Sequence, residues 1–413
     1  MKQHKRTVAL GITACLAATL GLSGCGGRGA SESGSLTFWI MGDDGPRFEE
    51  LIAPWVEETG VDVEVVGVPW GAFDDRITAA IAAGDGPDLL QVGIDRVRTL
   101  HDAEVLEPLN RFAADHPWIG AENYPEGARE SMAIGDDILT VPWISDPRVL
   151  FYRSDILAEA GIAGPPATWD ELAANAKELA DRGAGMYGYF PAQWDAGLPV
   201  AMTWSRGGEI IDSDGNLNFD TPQFREVLQY FADLYESGSV PRNSDFDQTQ
   251  GFISGIIPLV ISGPFLANSI RDVAPELDGK WFVTTVPAGL AGSVSQWAGS
   301  NLGVWADTPN IDNALSLMEF LTNPETQVRW FELAGRMPAA TVALEDAGLN
   351  ADPFFAVYSE QLATSRPLPL VPNWNAGPGR HMLDAILEVV LNGRSINDAI
   401  ATLVSRTEGL SIN

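Results

Sequence analysis

The chain has 413 residues, 45% of them hydrophobic and 20% charged, enough to bury one substantial core and, at this length, two. Gly and Pro, 42 and 27 in number, make up about one residue in six, below the roughly 25–30% of low-complexity chains, which excludes a disordered or fibrous protein. A formal charge of −31 repels phosphate backbones and excludes nucleic acid as a partner.

Lys2, Lys5 and Arg6 precede an apolar run from Val8 to Leu20, the layout of a secretory signal peptide and too short to span a bilayer comfortably. The run leads to Leu22-Ser23-Gly24-Cys25, which resembles the lipobox of bacterial lipoproteins. That resemblance implies a signal peptide over 1–24, palmitate-type acylation of Cys25 and a lipid anchor on the extracytoplasmic face of the cell membrane. Cys15 leaves with the signal and Cys25 takes the lipid, so the body is expected to hold no disulfide. Residues 25–35, lipidated Cys plus a Gly/Ser-rich stretch, read as a tether with a reach on the order of 17 Å.

From Ser35 onward strands and helices alternate, which predicts an α/β fold with largely parallel sheets. Leu36 to Ile40 reads as the first strand, and the loop Gly42-Asp43-Asp44-Gly45 follows it. Phe48, Leu51, Ile52, Trp55 and Val56 then mark one face of a helix that closes at Gly60. Val61 to Val65 alternates as a half-buried strand, a short helix spans Ile77 to Ala82, and Asp88 to Val92 reads as a third strand. Thr168-Trp169-Asp170-Glu171 is a capping box, and Thr221-Pro222 supplies an N-cap with proline in the first turn. The uncharged stretch from Gln248 to Ile270 carries Gly255, Pro258, Gly263 and Pro264, so it reads as a buried strand, Ile256 to Ser262, turning into a helix rather than as a membrane span.

A search for catalytic chemistry finds little. His4 leaves with the signal, and His101, His116 and His381 lack the i, i+4 pairing of a helical zinc site. The sequence contains no phosphate-cradling G-x-x-x-x-G-K and no G-x-S-x-G elbow. Asp212-Ser213-Asp214-Gly215-Asn216 alternates carboxylates like a calcium loop, but Leu217 and Gln223 stand where glycine and the closing glutamate belong, so it reads as a hairpin turn. No cofactor and no metal are expected. Tryptophan stands out, with thirteen in all. Trp39, Trp55, Trp169 and Trp330 fall within element patterns and are expected in the core, whereas Trp70, Trp143, Trp194, Trp297, Trp305 and Trp374 fall in loops or strand ends. Aromatic faces beside polar groups suit sugars, whose C–H faces stack on rings.

Four segments carry a family resemblance: Leu36 to Gly45; Ala82 to Asp88 with Asp95-Arg96; Val141-Pro142-Trp143 with Phe151 to Asp155; and Ile261 to Phe265. In this order, behind a lipobox, they resemble the extracellular solute-binding proteins of bacterial ATP-driven (ABC) sugar importers, the carbohydrate-binding family that includes maltose-binding protein. The resemblance implies a two-lobed, type II periplasmic-binding-protein fold with a hinge and an interlobe cleft. One lobe would hold 36–144 and 287–328, the other 145–286 and 329–413. It places Asp43, Asp44, Asp95 and Arg96 at charged ligand contacts, Asp146 at a crossover carboxylate, Phe265 at a stacking position, and Asn375 to Arg380 at a further contact region. Val92 and Arg380-His381 stand where maltose-binding protein has aromatics, and Trp143, Trp194, Trp297 and Trp374 are candidate replacement platforms. The implied function is capture of a sugar of di- or oligosaccharide size and delivery to membrane permease subunits, by a monomer that is not an enzyme. Two alternatives stay open: a secreted glycoside hydrolase, which also uses paired carboxylates, and a binding protein for a polyol phosphate or polyamine.

Overall fold

The computed structural model describes residues 35–243, 246–346 and 348–412. The signal segment, Cys25 and the tether up to Gly34 lie outside the described residues. Strands are numbered in chain order: β1 Leu36–Met41, β2 Val63–Val68, β3 Leu89–Gly93, β4 Ala133–Ile134, β5 Asp137–Ile138, β6 Val141–Pro147, β7 Val149–Arg153, β8 Tyr189–Phe190, β9 Leu259–Ser262, β10 Trp281–Thr284, β11 Ser295–Val304, β12 Met337–Pro338 and β13 Ser365–Pro367. Two sheets carry the architecture. The larger runs β12-β6-β11-β3-β1-β2 with β13 paired to β11; the smaller runs β10-β7-β9-β8; β4 and β5 form a separate hairpin.

β1 lies between β2 and β3 and is parallel to both. Helices cover both faces of such a strand, which therefore reads as an almost unbroken apolar run. Leu36, Phe38, Trp39, Ile40 and Met41 are all buried. The helix Gly45–Thr59 docks Phe48, Leu51, Ile52 and Trp55 on this sheet. Phe48 stacks on Phe38 at 4.4 Å and meets Trp143 and Trp330 edge-on at 5.8 and 6.2 Å. Trp143 and Trp330 lie parallel, 5.7 Å apart. Each such pair adds about 0.5–1.5 kcal/mol beyond its buried area. The Asp88 carboxylate accepts from the Thr37 amide at 2.7 Å, from Thr308 at 2.5 Å and from Asn310 at 3.0 Å, tying the segment ahead of β3 to β1 and to the loop beyond β11.

The predicted start signals are made. Thr168 Oγ1 accepts from the Glu171 amide at 3.2 Å, while Glu171 accepts from the Ala167 amide at 2.7 Å. Thr221 Oγ1 caps Phe224 at 3.2 Å. Asp214-Gly215 forms a turn closed by an Ile211–Leu217 bridge, and Asp212 Oδ1 accepts the Asp214 and Asn216 amides at 2.9 Å each. Hydrogen bonds from Asn216 hold the Asp212 carboxyl below its ordinary value. The strand expected over Ile256 to Ser262 is limited to Leu259–Ser262, after the positive-φ Gly255.

The chain crosses between the sheets where β6 hands over to β7 through Arg148, and again between β10 and β11. At the first crossing β6 pairs antiparallel with β11, with Ala298 opposite Asp146 and Gly299 opposite Ser145, and the register shifts between Ser300 and Asn301. Gly299 has φ +137°, and a Cβ there would strike the Ile144 carbonyl, so this bend requires glycine. Beyond the expected crossing at 328/329, Trp330 still packs on Trp143 and β12 still pairs with β6. Residues 329–338, expected in the second lobe, pack with the first because their aromatic and strand partners lie there. Among the described residues no helix is long and apolar enough to cross a membrane.

Candidate functional site

In open parallel sheets, ligands sit beyond the carboxyl ends of the strands. The strands β1, β2 and β3 end at Gly42-Asp43, Pro69-Trp70 and Gly93 to Arg96, and the Trp70 ring lies against both Gly42 and Gly93. Trp70 is 42% exposed, and Asp43, exposed, follows Gly42 in the chain. Arg96 pairs with Asp95 at 3.2 Å and with Asp74 at 2.9 Å. Burial opposes its charge, but the two carboxylates outweigh burial and hold the guanidinium above its ordinary value. Asn375, from the loop before the helix Pro378–Asn392, donates its side-chain amide to Asp95 Oδ2. Asp43, Asp95 and Arg96 thus stand at the strand ends of one wall, and Asn375 reaches Asp95 from the other side.

A second group lies at the crossing of the sheets. Asp146, near the end of β6, and Arg148, in the link to β7, form an ion pair of 3.0 Å with side chains 21% and 18% exposed. Burial disfavours the charge of Arg148, yet Asp146 and then Asp195 raise its affinity for the proton above the ordinary value. Gly263 backs this pair, and a Cβ at that position would collide with Asp146 Oδ1 and Arg148 Nη1. Half-buried Phe265 stands two residues on, at the start of the helix Phe265–Val273. Gln296 reaches Gly197, where a Cβ would likewise collide with its Oε1. Asp195 Oδ1 accepts from the Gly197 amide at 2.8 Å, and its neighbour Trp194 is 60% exposed. The Arg148–Asp146 contact lacks hydrogen-bond alignment. Asp146 Oδ1, Arg148 Nη1, Ser145 Oγ and Gln296 Oε1 are all buried without a hydrogen-bond partner.

The remaining candidates are placed elsewhere. Asp44 is locked by Arg336 at 2.6 Å and Arg47 at 3.4 Å, its side chain 6% exposed. Trp143, Trp297 and Trp374 are at most 2% exposed, the first two in one core and the third in the core of the second side. The expectation that they form cleft platforms is corrected on this burial, since a ring enclosed by core side chains presents no free face. Arg380 is exposed and pairs with Asp384 one helical turn on, at 2.8 Å. Trp70, a loop tryptophan with no site role expected from the sequence, and Arg148, Asp195 and Gln296, for which the sequence suggests none, are the residues the structure adds to the site. The i, i+2 spacing of Asp146 and Arg148 was the available signal. Among the described residues no cluster of three or more His, Cys, Asp or Glu is arranged to hold a metal ion. A groove of about 370 Å³ lined by Trp55, Glu58, Ser316 and Glu319 lies apart from both groups, because Trp55 is roughly 16 Å along its helix from Asp44 at 1.5 Å per residue.

The family of bacterial extracellular solute-binding proteins matches residues 40–328, well over half of the chain. The chain belongs to this family. A Brucella abortus protein named as a binding protein is 27% identical over 345 residues, covering 80% of this chain and 81% of its own length. An uncharacterized lipoprotein of Streptomyces antibioticus is 27% identical, covering 87% and 83%. The sugar-binding protein MalE of Xanthomonas citri superposes with a TM-score of 0.81 at 25% identity, over 91% of this chain and 96% of that one. The α/β, two-lobed solute-binding fold expected from the sequence is the fold observed, but the sheets are mixed rather than largely parallel, because β11 pairs antiparallel with β3 and β6, and β7 with β9 and β10.

The ion pair at the crossing gives a stability prediction. Asp146→Asn leaves the largely buried Arg148 charge with Asp195 alone, and the urea midpoint is expected to fall by an amount worth roughly 1–3 kcal/mol, the cost of a buried group that loses its partner. An unchanged midpoint contradicts a stabilising pair.

Proposed function

We propose that this solute-binding protein captures a neutral saccharide, of di- or oligosaccharide size, between its lobes and hands it to the permease of an ATP-driven importer. The observation that carries this reading is the polar group at the crossing: the Asp146–Arg148 ion pair beside the Ser145 hydroxyl and the Gln296 acceptor, both buried without a hydrogen-bond partner. A sugar hydroxyl donates and accepts at once, so a row of hydroxyls satisfies such a mixture. Trp70 on one wall and Trp194 on the other are the exposed aromatic faces available for stacking. The likeness to a sugar-binding protein supports the same class.

The lobes are assigned to 36–147 with 295–338 and to 148–286 with 368–412. They rotate about the crossing strands, so that a solute touching both favours the closed form. Binding is preferred to hydrolysis because a glycosidase needs two facing carboxyl groups, whereas Asp44, Asp95 and Asp146 each already engage an arginine. The protein works as a monomer, without a cofactor. Acylated Cys25 holds it on the outer face of the membrane, a reading supported by the lipobox and by the lipoprotein relative.

Calorimetry against neutral saccharides identifies the solute. Trp70→Ala and Trp194→Ala are then each expected to weaken it three- to tenfold (about 0.7–1.4 kcal/mol) with the fold intact. Trp143→Ala, in contrast, is expected to cost about 3–5 kcal/mol of stability. Unchanged affinity in both surface variants removes these rings from the site. Cys25→Ser is expected to release the protein from the membrane fraction, since stable anchoring takes about two acyl chains; retention of that variant contradicts the anchor.

A further inference from the structure

Three hydrogen bonds join the two lobes directly. Asn375 donates to Asp95, the Asn373 amide donates to Thr99 Oγ1 at 3.3 Å, and Arg98 Nη1 donates to the Ile412 carbonyl at 3.0 Å. Both partners belong to rigid frameworks. Val97 and Leu100, flanking Arg98 and Thr99, are buried in a core with Trp39, Met41, Val68 and Leu90 of the first sheet. Trp374, between Asn373 and Asn375, is buried in the core of the second side with Leu259 and Ile261. The segment Leu410–Ile412 is held to that side by Leu217 N to Leu410 O and Ile412 N to Gly215 O, 3.0 Å each, and by an Asn216–Ser411 bridge. Arg98 is aimed by Asp102, whose carboxylate takes its Nε at 2.9 and 3.1 Å and leaves Nη1 free for the carbonyl.

We propose that Asp95–Asn375, Thr99–Asn373 and Arg98–Ile412 form a latch that biases the lobes toward closure before any solute arrives. The latch reassigns Asp95. With Arg96 on one side and Asn375 on the other, it fastens the lobes rather than serving as a hydroxyl acceptor. It also acts on affinity without contacting the solute, because the apparent Kd is the intrinsic Kd divided by the fraction of protein in the competent closed form. The inference requires lobe closure but is independent of which solute binds.

Pulsed EPR tests it on the solute-free chain with both native cysteines replaced and nitroxides at D75C and E236C, one exposed label site on each lobe. The otherwise unaltered protein is expected to show a short-distance population without solute. Arg98→Met, Thr99→Val and Asn375→Ala are each expected to lower the closed-to-open ratio about fivefold, about 1 kcal/mol at 1.4 kcal/mol per tenfold, and the triple variant about a hundredfold. Asn375→Asp, placing a carboxylate against Asp95, is expected to open the protein further than Asn375→Ala. Circular dichroism melting checks that the variants stay folded, as expected for side chains on the surface of the lobes. One distance distribution shared by the starting protein and every folded variant, whether short or long, overturns the latch.

Discussion

The antiparallel pairing of β6 with β11 is the constraint on which the rest of the molecule depends, because this pair belongs to the large sheet while its end feeds the small one. Val141, Trp143 and Ile144 are buried in the core on entry, and Val149, Leu150 and Phe151 are buried again on exit. Between them Ser145 and Asp146 at the end of β6, and Arg148 in the one-residue link to β7, are polar. A slip of one residue would break the facing of Asp146 with Ala298 and of Ser145 with Gly299. The same register that fixes the core therefore fixes the polar floor of the cleft, and Gly299 supplies the backbone freedom that lets β11 follow.

Charge at the cleft is organised around this floor. The chain is strongly acidic, yet the acids nearest the strand ends are engaged in specific pairs: Asp44 with Arg336, Asp95 with Arg96, and Asp146 with Arg148. A buried pair stripped of one partner leaves an uncompensated charge, so these contacts hold each other in place more than they add net stability. Asp43 stays exposed at the end of β1, and the Ser145 hydroxyl and the Gln296 acceptor are left without a hydrogen-bond partner. That combination favours a ligand that is polar, uncharged and able to present both hydrogens and lone pairs.

The fold was legible in the sequence because the local signals were strong: the capping box at Thr168, the proline-started helix at Thr221 and the alternating elements. Burial of Trp39, Trp55, Trp169 and Trp330 followed from periodicity. The tryptophans outside a clear period were not separable in the same way. Trp143 and Trp297 sit on strands covered on both faces, where both orientations are apolar and alternation carries no information. Trp70 and Trp194 differ from them only in following a strand end. The Asp95–Asn375 contact joins residues 280 apart, and no local spacing reports such a pair.

The central claim is that solute binds at the strand ends and crossing rather than elsewhere on the lobes. Hydrogen–deuterium exchange with and without a saturating saccharide tests it most directly, since protection maps the bound surface onto the backbone. Slowed exchange is expected in residues 42–44, 93–96, 145–148, 191–197 and 262–265. Protection confined to the groove formed by Trp55, Glu58, Ser316 and Glu319, with the crossing strands unchanged, would contradict it.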